Sequence, residues 1–157
     1  MGSEARVEAL NAMQEYFDRS TRVFAEGDSG FTPKPGMFTV AQQVAHVAQT
    51  IDWFMAGAFD PKGFNLDFEG LDAEVRKVES LTAARAWLKQ AFDGARATLE
   101  SKHDEMKNPL PPGPIMGGQP RSAILPALGD HTAHHRGALT VYARLLGKTA
   151  PMPYMDM

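Results

Sequence analysis

The stretch Ile124-Leu-Pro-Ala-Leu-Gly-Asp-His-Thr-Ala-His-His-Arg-Gly-Ala-Leu-Thr-Val-Tyr-Ala-Arg-Leu-Leu-Gly147 decides the fold. At ~100° per residue around a helix axis, Ile124, Leu128, His131, His135, Leu139, Tyr142 and Leu146 share one stripe about 80° wide. The spacing predicts a long amphipathic helix from about Arg121 to Leu146, stopped by Gly147. Pro126 either kinks it or lies in its first turn. Two imidazoles interrupt the face that should meet the core.

Working outward, three more segments carry the same three-and-four spacing. Val7, Leu10, Met13, Phe17, Thr21 and Phe24 form the first stripe, ended by Glu26-Gly-Asp-Ser-Gly30. Thr39 then offers a capping oxygen to a second helix with the stripe Val40, Val44, Val47, Ile51 and Phe54, ending near Gly57 or Phe59. Ser80 or Thr82 opens a third, with Leu81, Ala84, Leu88, Phe92, Ala95 and Leu99 on one face, ending around His103. Between the second and third, residues 60–79 are broken by Pro61, Gly63 and Gly70, and Leu71 to Val78 reads as a short helix or an extra turn. Asn108 to Pro120 is a long proline- and glycine-rich loop, either a lid or a bridge between bundle ends. Residues 150–157 read as an extended tail. With no strand-like alternation, the pattern predicts an all-α four-helix bundle with long inter-helix loops, residues 1–157 forming a single domain.

Bulk composition narrows the function classes. The 157 residues are 43% hydrophobic and 22% charged, ordinary values for a folded globular chain. A net charge of -3 without a basic cluster argues against nucleic acid as a partner. No run approaches the ~20 apolar residues of a membrane span, and Glu4 and Glu8 sit where a secretory signal would be apolar, so a cytoplasmic location is expected. The absence of cysteine leaves His, Asp and Glu as the side chains for any metal chemistry.

His131 and His135 are i,i+4 neighbours, roughly 5 to 6 Å apart at Cβ, close enough for both rings to reach one ion. Buried imidazoles without partners are costly, so either a shared ion or separate hydrogen bonds must satisfy them. His46 is the candidate third ligand. It lies about 120° from the centre of its helix's apolar stripe, on a face with Gln42, Gln49, Thr50 and Trp53 that is either solvated or one wall of a half-polar pocket. His134 falls about 80° off the stripe and is an alternative to His135 or a neighbour of the site. His103, among Lys102, Asp104 and Glu105, reads as a solvated helix end. Trp53 and Tyr142 are expected to flank the pocket, Tyr142 chiefly as a core residue.

The segment Asp130 to Gly147, with His131, His135 and the following Arg136-Gly137, resembles the last helix of the DinB/YfiT-like family and its H-x-x-x-H-R-G motif. Thr39 to Phe54 likewise resembles that family's second helix, whose metal-binding histidine maps onto His46. The resemblance implies a DinB-like bundle in which His46, His131 and His135 bind nickel or zinc, commonly as a homodimer. Ala138 stands where many relatives have Gln, so any role of that amide is missing here. Arg136, about 100° off the stripe, is expected to make a structural ion pair or helix contact.

Three neutral imidazoles leave open coordination positions, which makes hydrolysis, isomerisation and thiol transfer chemically accessible. Family members include transferases that use low-molecular-weight thiols, so the resemblance implies a metal-dependent thiol transferase in stress response or detoxification, with a small-molecule substrate. The alternatives are a non-catalytic metal-binding stress-response protein and a metal-dependent hydrolase. For the hydrolase, neither Asp130 nor Asp52 is aimed at the triad, and a base would have to come from residues 60–79.

Overall fold

The structure, a computed structural model, describes residues 2–156. Met1 and Met157, the ends of the domain expected over 1–157 and of the expected extended tail, lie outside the described residues. Four long helices, α1 (Ser3–Thr21), α2 (Val40–Phe59), α4 (Leu81–Ser101) and α5 (Ile124–Leu145), pack as a bundle, and a short α3 (Phe68–Arg76) lies between α2 and α4 in sequence. Among the described residues there is no strand, only an isolated bridge between Pro109 and Pro120. The fold is all-α. In sequence terms α2 is central, packing most extensively on α4 and also on α5 and α3, while α1 packs on α5 and α4.

Each stripe read from the sequence is the buried face of its helix. Leu10 and Phe17 of α1, Val40, Val44, Val47 and Ile51 of α2, Leu88, Phe92 and Leu99 of α4, and Leu128 and Leu139 of α5 are almost fully buried in one core. The ends follow from local chemistry. Thr39 accepts a bond from the Gln42 amide at 3.2 Å and the Gln42 side chain accepts from the Thr39 amide at 3.0 Å, closing a reciprocal box at the start of α2. Ser80 caps α4 by accepting from the Ala83 amide, and Asp67 caps α3 by accepting from the Gly70 amide. The first helix stops at Thr21, three residues before Phe24, yet Phe24 is still buried because the turn that follows carries it inward. A 3-10 turn, Arg121–Ala123, precedes α5, so Pro126 is the third residue of the helix. In the first turn its missing amide has no bond to break, and it does not act as an interior kink.

Two segments left open by the sequence are placed away from the histidines. The proline-rich loop closes on its own base, with the Leu110 amide donating to the Gln119 carbonyl at 2.7 Å and the Arg121 amide to the Asn108 carbonyl at 2.8 Å. Its Pro111 to Ile115 tip faces Lys62, Phe64 and Leu66. Arg121 fastens the base to the end of α2, donating from Nε to the Ala58 carbonyl at 2.9 Å with its guanidinium over the Phe59 ring. The tail is not extended throughout: it turns at Pro153–Tyr154 and lies on α1, where Tyr154 meets Tyr16 edge to face at 5.0 Å and Arg19 donates to the Pro153 carbonyl.

One close approach shapes the wall described below. A Cβ on Gly57 would come within 2.2 Å of the Phe64 ring, so glycine at this point of α2 is what lets Phe64 lie against the helix beside Trp53. At the other end of α2, replacing Thr39 by alanine removes the capping oxygen. Thr39→Ala should lower stability by about 0.5 to 2 kcal/mol, read as a lower denaturant midpoint with an unchanged slope.

Candidate metal centre

α5 delivers His131 and His135 from successive turns of one face, and the packing of α2 on α5 brings His46 opposite them. One nitrogen of each ring lies within 4.8 Å of one on each of the other two. His46 and His131 meet through their Nε2 atoms at 3.1 Å. His134, the alternative, is exposed on the outer side of α5 and does not join the cluster. His103 sits at the exposed end of α4 beside Asp104, as a solvated histidine would.

The donor geometry fits a cation. Two ligand nitrogens, each about 2.1 Å from one ion, are roughly 3.1 Å apart when their bonds open about 95°. In an isolated pair of neutral rings that approach satisfies one hydrogen bond, whereas around one ion it satisfies two lone pairs. His135 is held by a chain of hydrogen bonds that the sequence did not reveal. Its Nδ1 donates to Gln43 Oε1 at 2.6 Å, the Gln43 amide nitrogen donates to the Tyr142 hydroxyl at 3.2 Å, and that hydroxyl donates to the Phe38 carbonyl at 2.8 Å. The chain runs in one direction only, because the carbonyl at its end is purely an acceptor. It therefore keeps the proton of His135 on Nδ1 and leaves the Nε2 lone pair free. The signal for Gln43 was present in the sequence: it stands three residues after Val40 on the buried side of α2, where an amide needs partners, and it is 7% exposed. His131 has no such support. Its Nδ1 is buried without a hydrogen-bond partner among the described residues, and the Thr50 hydroxyl lies 3.4 Å from its Nε2.

Electrostatics keep the rings neutral. Burial holds the His131 pKa down to about 4 and that of His135 down to about 3, and repulsion from neighbouring imidazolium charge adds to burial in both. His46 is lowered mainly by burial, partly offset by the attraction of Asp72.

A cavity of about 420 Å³ opens beside His46 and His131, walled by α2 and α3. Trp53 lines it, as expected, whereas Tyr142 is 2% exposed and belongs to the core, reaching the site through its hydrogen bonds with Gln43 and the Phe38 carbonyl. Asp72, from the stretch read as a short helix or an extra turn, also lines the cavity. Asp52 is turned away and accepts a bond from the Trp87 indole at 2.8 Å. Among the described residues Arg136 makes no ion pair, and its guanidinium faces the ring of Tyr154 at 5.8 Å.

The lowered histidines have a consequence for the metal-free protein. An imidazole whose pKa falls on folding leaves the unfolded chain to take up protons first, so its contribution to stability is complete above pH 6.5 and is lost as pH falls towards 3. The thermal midpoint of the metal-free protein should therefore drop across that interval more steeply than that of a His135→Gln variant, since carboxylates titrate alike in both. Parallel curves would show that the histidine cluster contributes nothing to the acid sensitivity.

With this geometry in place, sequence comparison is informative. The family model described as DinB family matches residues 28–157, which includes all three clustered histidines. No curated protein matches the chain. With four of its five helices, the cluster and the cavity all inside that match, the chain belongs to the DinB family.

Proposed function

We propose that His46, His131 and His135 hold one divalent cation, nickel or zinc, and that the protein is a metal-dependent transferase using a low-molecular-weight thiol in stress response or detoxification. The observation that carries this reading is the cluster of three neutral imidazoles at the end of a small-molecule-sized cavity. A divalent cation held by three neutral imidazoles keeps positions for an exogenous ligand and favours the thiolate form of a bound thiol. The protein's own part is to bind and to orient. Gln43 keeps the Nδ1 proton of His135 in place, and the aromatic wall of the cavity excludes water from the face where a substrate would sit. No described helix is long and apolar enough to cross a membrane, in keeping with a small dissolved substrate. A homodimer belongs to the same reading, supported by the exposed apolar Val141 and Leu145 on α5.

One observation favours a second reading, a metal-dependent hydrolase. Asp72 supplies the cavity with the carboxylate that hydrolysis needs as a general base. Arg76 donates from Nε to Asp72 Oδ2 at 2.6 Å and holds that carboxylate in place on the wall.

Elemental analysis of the purified protein tests the site. His46→Ala, His131→Ala and His135→Ala should each lose the metal, and His134→Ala should keep it. Gln43→Leu, which removes the acceptor for His135 Nδ1, should weaken metal affinity by roughly 10- to 100-fold while the protein stays folded. Full occupancy in His46→Ala would sink the triad.

Turnover tests the reaction. Metal-loaded protein should accelerate the conjugation of a small thiol to an activated aryl halide, and chelation should abolish the rate. Ester hydrolysis without thiol transfer, lost in Asp72→Asn, would favour the second reading. A chelator that lowers the melting temperature of a protein with neither activity would leave a non-catalytic metal-binding role.

A further inference from the structure

The cavity beside the triad has a selective lining. Phe38, Trp53, Phe54, Phe68 and Leu71 supply its apolar surface. The Trp53 ring is fixed on several sides: its indole nitrogen donates to the Asn65 carbonyl at 2.7 Å, and Phe54, Phe64 and Phe68 pack around it with centroids 4.7 to 6.2 Å away. A held aromatic plane of this kind suits a flat ring better than a flexible chain, because stacking asks for no reordering of the wall.

Its amide and hydroxyl lining groups are already engaged. The Gln49 amide nitrogen donates to both the Leu71 carbonyl and Glu74 Oε2, each at 2.9 Å, and the Thr50 hydroxyl donates to the His46 carbonyl at 2.9 Å. None of the described lining residues is Lys or Arg. The charged side chain that does line it is Asp72, and the nearby Arg76 is committed to Asp72 and to the face of Phe38, 4.8 Å from its centroid. Away from the His46 and His131 end, an anionic group on the aromatic wall would meet the Asp72 carboxylate, with no Lys or Arg among the described lining residues to offset its loss of water.

From this lining we infer that the cavity is the seat of a flat aromatic substrate without negative charge, its one metal-binding atom directed at the His46 and His131 end. The direction of that atom rests on the proposed metal site; the aromatic and charge selectivity rests on the cavity alone. Under the transferase reading this ligand is the electrophile. A charged thiol would then keep its ionised groups outside the aromatic chamber, reaching the triad with its sulfur only.

Two probes that differ by one charge test the inference: naphthalene-2-hydroxamic acid and its 6-carboxylate, titrated into zinc-loaded protein and followed by calorimetry. The neutral probe should bind roughly tenfold more tightly or better, and Asp72→Asn should narrow the gap by strengthening the carboxylate. Phe68→Ala, at a residue 57% exposed and so dispensable for folding, should weaken the neutral probe several-fold. Equal affinities for the two probes, or an unchanged affinity in Phe68→Ala, would overturn the inference. Naphthalene-2-carboxamide, offered to metal-free protein, separates it from the metal reading. If zinc adds nothing to hydroxamate binding but the carboxamide binds in a Phe68-dependent way, the metal site fails and the cavity assignment stands. If the carboxamide does not bind, the cavity assignment fails whatever the metal does.

Discussion

Three imidazoles brought within 4.8 Å of one another inside a half-buried site must remain neutral, because a second positive charge there would be opposed by both desolvation and repulsion. The rest of the structure bears on that constraint. Leu128 and Leu139, on the same stripe of α5 as His131 and His135, are almost fully buried, so the packing that fills the core also strips water from the rings. The outcome is a set of lone pairs held ready at neutral pH. An ion binding there displaces no proton from these rings, which is the condition a nitrogen-ligand site has to meet.

The three rings are restrained to different degrees. His135 is oriented by a chain that ends on a backbone carbonyl at the entry to α2, so its tautomer is tied to the packing of α2 against α5 through Gln43 and Tyr142. His46 is backed by the Phe38 ring, 5.3 Å away between centroids. His131 has a buried Nδ1 with no partner among the described residues. His135 is thus tied to the core through Gln43, while His131, on the cavity side, meets His46 and the Thr50 hydroxyl through its Nε2.

The short α3 explains why the site has a chamber. It is clipped to α2 twice, by Gln42 donating to the Arg76 carbonyl and by Gln49 donating to Leu71 and Glu74, so a nine-residue helix with one buried side chain, Val75, is held as a wall. The two glutamines, on the face that the sequence left open between solvent and a pocket wall, are therefore structural. They also use up the polar capacity of the wall and leave its aromatic surface to decide what fits. The proline-rich loop and the C-terminal tail, the other segments able to cover a pocket, spend their contacts elsewhere, on residues 62–66 and on α1.

What was legible in the sequence is what depends on neighbours along the chain. Apolar spacing, the Thr39 cap and the shared face of His131 and His135 are local, set by 3.6 residues per turn and by side chains that reach three or four positions. Family likeness added His46, which periodicity alone left between solvent and pocket. Tertiary structure decided the rest. That His46 meets His131 across 85 residues, that Gln43 holds His135 across 92, and that Asp72 and Phe68 line the cavity beside His46 and His131 all depend on how α2 packs against α3 and α5. No periodicity encodes those contacts, because helix packing is set by the summed shape of many buried side chains and not by the residues that finally touch.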